Sequence, residues 1–161
     1  MITEPGGCGR SSSGQRNATL AEVAERTFDV FFYGLNMDAD RLSSKGIVPR
    51  NPRVAWLEDH VVVLGAKAML LRLHGKRAYG MLFRLTHREM DALYAGLHDY
   101  SPEPFMAILA NSNEVAEPVA VISMVHRDPP VDSNRDPAYC ARWTNLVQRL
   151  RFPDGASTDT D

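Results

Sequence analysis

Tyr33-Gly34-Leu35-Asn36 is the stretch whose residue types best suit chemistry. It follows an aromatic and β-branched run, Phe28-Asp29-Val30-Phe31-Phe32, and precedes a short helical pattern at 37–42. Glycine at position 34 permits a tight backbone turn. Unpaired N–H groups in such a turn can receive a carboxylate, helped by the N-terminus of the next helix. The same four residues also suit a plain strand-to-helix connection with Asn36 as its cap.

Other reactive residue types are scattered. Cys8 lies in a Gly/Ser-rich stretch and Cys140 in a helical pattern near the C-terminus, and two unclustered cysteines build neither a zinc site nor a disulfide framework. The five histidines, His60, His74, His87, His98 and His126, make no HxH or HExxH spacing. We therefore expect no metal and no cofactor. Hydrophobic residues make up 44%, charged residues 24%, and the formal net charge is -2. That balance argues against nucleic acid and against an anionic membrane surface. The apolar runs are too short to span a bilayer. The N-terminus lacks the pattern of a secretory signal, so a cytoplasmic protein is expected.

The elements that must position the loop are short and mostly strands. At 161 residues the chain has the size of one domain with a real core. Residues 1–26 read as a disordered tail, with a short helix possible in 17–26, and 154–161 as a second polar tail. Between them, 27–153 form the domain. Strands are expected near 28–33, 54–56, 60–64, 68–73, 78–85, 105–109 and 118–125, with His74-Gly75-Lys76-Arg77 as a hairpin connection. Thr86 stands three residues before Glu89, a capping-box spacing that opens a helix near 87–96 with Met90, Leu93, Tyr94 and Leu97 on one face. Pro102 and Pro104 close that region. A last amphipathic helix spans 136–150 and carries Tyr139, Trp143, Leu146 and Val147. The expected class is α+β, a small, mostly antiparallel, barrel-like sheet with flanking helices.

Phe32-Tyr33-Gly34-Leu35-Asn36-Met37 resembles the Tyr-Gly-Ser-Asn signature that opens domains of the γ-glutamylcyclotransferase-like (AIG2-like) family. The resemblance continues through Arg41-Leu42, the Ala68–Leu71 and Ala78–Leu85 segments, the helix from Glu89 to Tyr94, Tyr139, and the Leu150-Arg151-Phe152-Pro153 ending. It covers about residues 28–153 and suits a divergent, bacterial-type member. It implies a γ-glutamyl-like small-molecule ligand held by backbone atoms of the loop, with Tyr33, Gly34, Leu35, Asn36 and Tyr100 as binding residues. It also implies a reaction: a glutamate takes a proton from the substrate α-amine, which attacks the γ-carbonyl and leaves 5-oxoproline.

The sequence departs from that pattern twice. Leu35 replaces the signature serine. Where Leu93-Tyr94 occupies the family's Leu-Asp position, Leu97 falls on the catalytic glutamate, and leucine accepts no proton. Shifting the alignment offers His98 or Asp99, with Glu103 farther on; Asp99, a carboxylate beside Tyr100, is the best substitute base, although a solvated or capping place in the loop before Pro102 suits it better. Two readings follow: a cyclising enzyme that uses Asp99, or a metabolite-binding or interaction domain without catalysis. A third, an unrelated small barrel, requires Gly34 to lie away from any cavity.

Overall fold

The computed structural model describes residues 26–110, 118–130 and 134–152. Apart from Arg26, the tails expected at 1–26 and 154–161 lie outside these residues, as do Cys8 and Pro153.

Strand β1 (Thr27–Phe32) runs into a 3-10 turn at Leu35–Met37 and helix α1 (Ala39–Ser44). Strands β2 (Arg50–Leu64) and β3 (Ala68–Thr86) follow, then α2 (His87–Leu93), β4 (Tyr100–Leu109), β5 (Val119–His126) and α3 (Pro137–Leu150). The strands close into a barrel in the order β1-β3-β2-β4-β5. Every pairing is antiparallel except β1 with β5, joined in parallel where Val30 faces Ile122. The mostly antiparallel barrel expected from the sequence is the one formed.

The barrel is filled by the residue types that suit a pleated, buried surface. Val30, Phe31, Leu57, Leu82, Phe83 and Leu85 lose essentially all contact with water. Gly80 allows β3 to press against β1: a Cβ there would lie 2.3 Å from the Phe32 carbonyl oxygen and 2.6 Å from the Phe31 ring. The fully buried Ser123 hydroxyl donates to the Phe31 carbonyl at 2.8 Å, so its burial leaves no polar group unsatisfied.

Three local expectations are corrected. His74–Arg77 is not a hairpin but a wide bulge inside the continuous strand β3, since Glu58 pairs Arg77 while His60 pairs Arg72. Gly75 takes the left-handed turn there, φ +81°, and donates its N–H to the Asp59 carboxylate at 2.8 Å. The chain reverses instead at Gly65-Ala66-Lys67, where Leu64 faces Ala68. Second, Pro102 and Pro104 lie within β4, opposite Met124 and Ile122. Being two residues apart, they turn their missing donors to the same edge, along which β4 pairs with β2 at Ile108 and Leu109 among the described residues. Third, α2 stops at Leu93, and the chain turns through Gly96 at φ +80°. The Thr86 hydroxyl does accept the Glu89 N–H at 3.1 Å, but the Glu89 carboxylate pairs with Arg50 at 2.9 Å instead of completing a capping box.

Candidate functional site

The loop after β1 is fixed from two sides. The Tyr33 hydroxyl donates to the Met124 carbonyl of β5 at 2.8 Å. The Trp143 indole of α3 donates to the Tyr33 carbonyl at 2.8 Å. Trp143 was expected to pack, and it does, with Leu146 beside it in the core; the hydrogen bond is an addition the pattern did not show. Helix α3 opens with Asp136 accepting from the N–H groups of Ala138 and Tyr139. The Asp136 N–H in turn donates to the Gly65 carbonyl, which binds the helix to the β2–β3 turn. Tyr139 and Lys67 are thereby brought to the same cavity from distant parts of the chain.

Between these elements lies a half-open cavity of about 160 Å³. Tyr33, Gly34, Leu35, Asn36 and Tyr100 all line it, together with Leu93, Tyr94, Leu97 and Tyr139. Arg41, Lys45 and Lys67 stand at its rim. Asp99 is not among the lining residues: it is exposed, and its carbonyl accepts the Arg127 N–H at 2.8 Å. His98 is exposed as well. Leu97 faces the cavity and keeps 41% of its surface accessible. No carboxylate lines the cavity among the described residues.

Two details of the loop differ from expectation. Gly34 has φ -104° and ψ -154°, extended backbone that any residue adopts. Space, not conformation, favours glycine: a Cβ would come within 3.1 Å of the Tyr139 hydroxyl. Asn36 does not cap α1; Asp38 does, accepting from the Asp40 N–H at 3.1 Å and pairing with Arg149 at 3.3 Å. The helix N-terminus is thus occupied by its own carboxylate. The Asn36 carbonyl oxygen instead accepts from Arg41 Nε at 3.3 Å and Lys45 Nζ at 3.4 Å, and its side chain also hydrogen-bonds Tyr94.

Burial pushes the phenols of Tyr33, Tyr94, Tyr100 and Tyr139 above the ordinary tyrosine range. For Tyr33 the neighbouring phenols and Glu103 add to it. For Tyr94 the Asn36 hydrogen bond works against it, and for Tyr139 so do hydrogen bonds to the backbone of Ala68 and Leu35. All four remain neutral near pH 7, able to donate and accept hydrogen bonds. The Lys45 ammonium is pushed down, first by desolvation and then by repulsion from Arg41 and Lys67.

Tyr94, Tyr139, Lys45 and Lys67 were not picked out as site residues in the sequence. Arg41 and Lys45 carried the one local signal, a four-residue spacing that sets them on one helical face beyond Asn36. Among the described residues, no group of three or more His, Cys, Asp or Glu side chains could hold a metal ion, and no helix is long and apolar enough to cross a membrane.

No family model and no curated protein matches the sequence. Solved structures do match the fold. A γ-glutamyl cyclotransferase aligns at a TM-score of 0.61 and 14% identity, over 80% of this chain and 83% of its own. An AIG2-like protein from Mus musculus aligns at 0.52 and 14%, over 83% and 89%. YkqA from Bacillus subtilis aligns at 0.64 and 16%, over 88% of this chain and 55% of its own.

Proposed function

We propose that this chain, which has the γ-glutamylcyclotransferase-like fold, binds a small amino-acid-like acid, a γ-glutamyl compound or a relative, in the Tyr33–Asn36 cavity without cyclising it. One observation carries the reading: Leu97 lines the cavity, with no carboxylate there among the described residues. Cyclisation needs a base to take the proton from the attacking amine, and losing one costs a factor of roughly 10²–10⁴. Recognition needs no base. Tyrosine hydroxyls, the Asn36 amide and the loop backbone supply donors and acceptors to a carboxylate or an amide. Asp99, exposed and outside the cavity, is given no catalytic part. We place the protein in the cytoplasm, with no nucleic-acid or membrane partner, since neither the net charge nor the apolar runs call for one.

The test is 5-oxoproline release from a panel of γ-glutamyl amines and dipeptides. The native protein is expected to release none above background, and Leu97→Glu to raise release by roughly 10²–10⁴-fold on at least one substrate. Native turnover that disappears in Asp99→Asn would restore the enzyme reading and place the base where the sequence suggested.

A further inference from the structure

The charge around the cavity carries the proposal one step further, to the class of ligand. Arg41 and Lys45 approach the same Asn36 carbonyl oxygen, at 3.3 Å and 3.4 Å. Lys67 joins them across the rim from the β2–β3 turn. None of the three forms an ion pair with a described carboxylate. A neutral amide oxygen is therefore the acceptor shared between two cations, with a third beside them. Like charges held this close repel, and a bound anion relieves all three contacts together.

No carboxylate lines the cavity among the described residues to pair with a cation; Glu103 and Asp99 act on Tyr33 and Tyr100 from outside the lining. An ammonium group on a ligand would meet Leu97, four neutral phenols and the three cations. A charged amine taken from water without a carboxylate partner is costly, and neighbouring positive charges add to that cost.

We infer that among such acids the cavity prefers those with two negative charges and no ammonium group, so that a dianion such as a short dicarboxylate or a phosphorylated acid binds more tightly than a zwitterionic γ-glutamyl compound. One charge meets Lys67 and the other the Arg41–Lys45 pair. The phenol rings of Tyr33, Tyr94 and Tyr139 line the space that the ligand chain between those charges would fill.

This inference rests on the proposed binding cavity, and the test separates the two. Calorimetric titrations use glutarate, L-glutamate, γ-glutamyl-alanine and inorganic phosphate. Glutarate and glutamate differ only by the α-ammonium group, so their ratio isolates it. Glutarate or phosphate is expected to bind at least about tenfold more tightly than glutamate or γ-glutamyl-alanine, because the rim charges are exposed and partly screened. Preference for glutarate over phosphate assigns a dicarboxylate, and the reverse order a phosphorylated acid. Lys67→Met is expected to weaken the preferred dianion by roughly fivefold to tenfold with an unchanged melting temperature. Equal or tighter binding of glutamate, or a dianion affinity indifferent to both Lys67→Met and Arg41→Gln, overturns the inference while the cavity stands. Silence from all four probes overturns both.

Discussion

Two clusters of basic side chains in this molecule differ in one respect. On the outside of the barrel, Arg53 and Arg84 converge on Asp29, a nearly buried carboxylate, and nearby Arg50 grips Glu89 at 2.9 Å. At the cavity, Arg41, Lys45 and Lys67 converge on no described carboxylate at all. The first cluster carries its counter-charges within the fold and spends them pinning β1, β2, β3 and α2 together. The second leaves its charge unbalanced beside an open space. Size does not separate a site from a surface here: the groove lined by His60, Arg72, Glu103, Phe105 and Met106 is larger, about 580 Å³, but it already contains both signs of charge.

Breaking the geometry of the second region is expected to have the largest effect. Gly34→Val sets a branched side chain where even a Cβ lies 3.1 Å from the Tyr139 hydroxyl. It should abolish ligand binding, measured by calorimetry, while circular dichroism remains that of the native fold, because φ -104° accommodates valine. Unchanged affinity would remove the loop from the site.

Removing a charge from each cluster sharpens the contrast. Asp29→Ala leaves Arg53 and Arg84 facing each other and should lower unfolding free energy by roughly 1.5–3 kcal/mol, read by urea denaturation. Lys67→Met should stay within about 0.5 kcal/mol of the native value, or gain slightly, because it relieves repulsion on Lys45. Equal losses from the two variants would mean that the cavity cations are structural.

The smallest effect is a pH dependence. Lys45 loses its proton below the ordinary lysine range, because burial, Arg41 and Lys67 all disfavour its charge. A bound anion favours that charge, so its pKa rises on binding. Dianion affinity should therefore fall as the pH climbs through the depressed pKa of Lys45, and binding there should take up protons. Calorimetry in buffers of different ionisation enthalpy reads the uptake, and Lys45→Gln should remove it. Uptake that persists in that variant would assign the titration to another group; the phenols of Tyr94 and Tyr139 and the neighbouring Arg41 and Lys67 face the same space.

Much of the barrel was legible because its strands are built from aromatic and β-branched runs whose burial leaves few alternatives. Phe28–Phe32 stops at Tyr33-Gly34 in the chain as it does in the fold. Turn chemistry was less faithful. Gly75 has the left-handed conformation that its neighbours suggested, yet Asp59, sixteen residues earlier, converts the turn into a bulge by accepting its N–H. No local pattern carries that contact. Pro102 and Pro104 signalled a break because a central strand rejects them, and only the register reveals an edge where their missing donors cost nothing. The cation rim was hidden for a related reason. Arg41 comes from α1 and Lys45 from the cap that ends it, Lys67 from a turn more than twenty residues later, and Tyr139 from α3. A net charge of -2 averages such a cluster away.

A titration followed by backbone amide resonances locates the ligand most directly. With glutarate or inorganic phosphate, whichever binds more tightly, the amides of Gly34, Leu35, Asn36 and Ala68 are expected to shift in a saturable way, together with the Asn36 side-chain amide. Saturable shifts confined to the groove around Arg72, Glu103 and Met106, with the Gly34–Asn36 amides unmoved, would contradict the assignment of the tyrosine- and cation-lined cavity as the binding site.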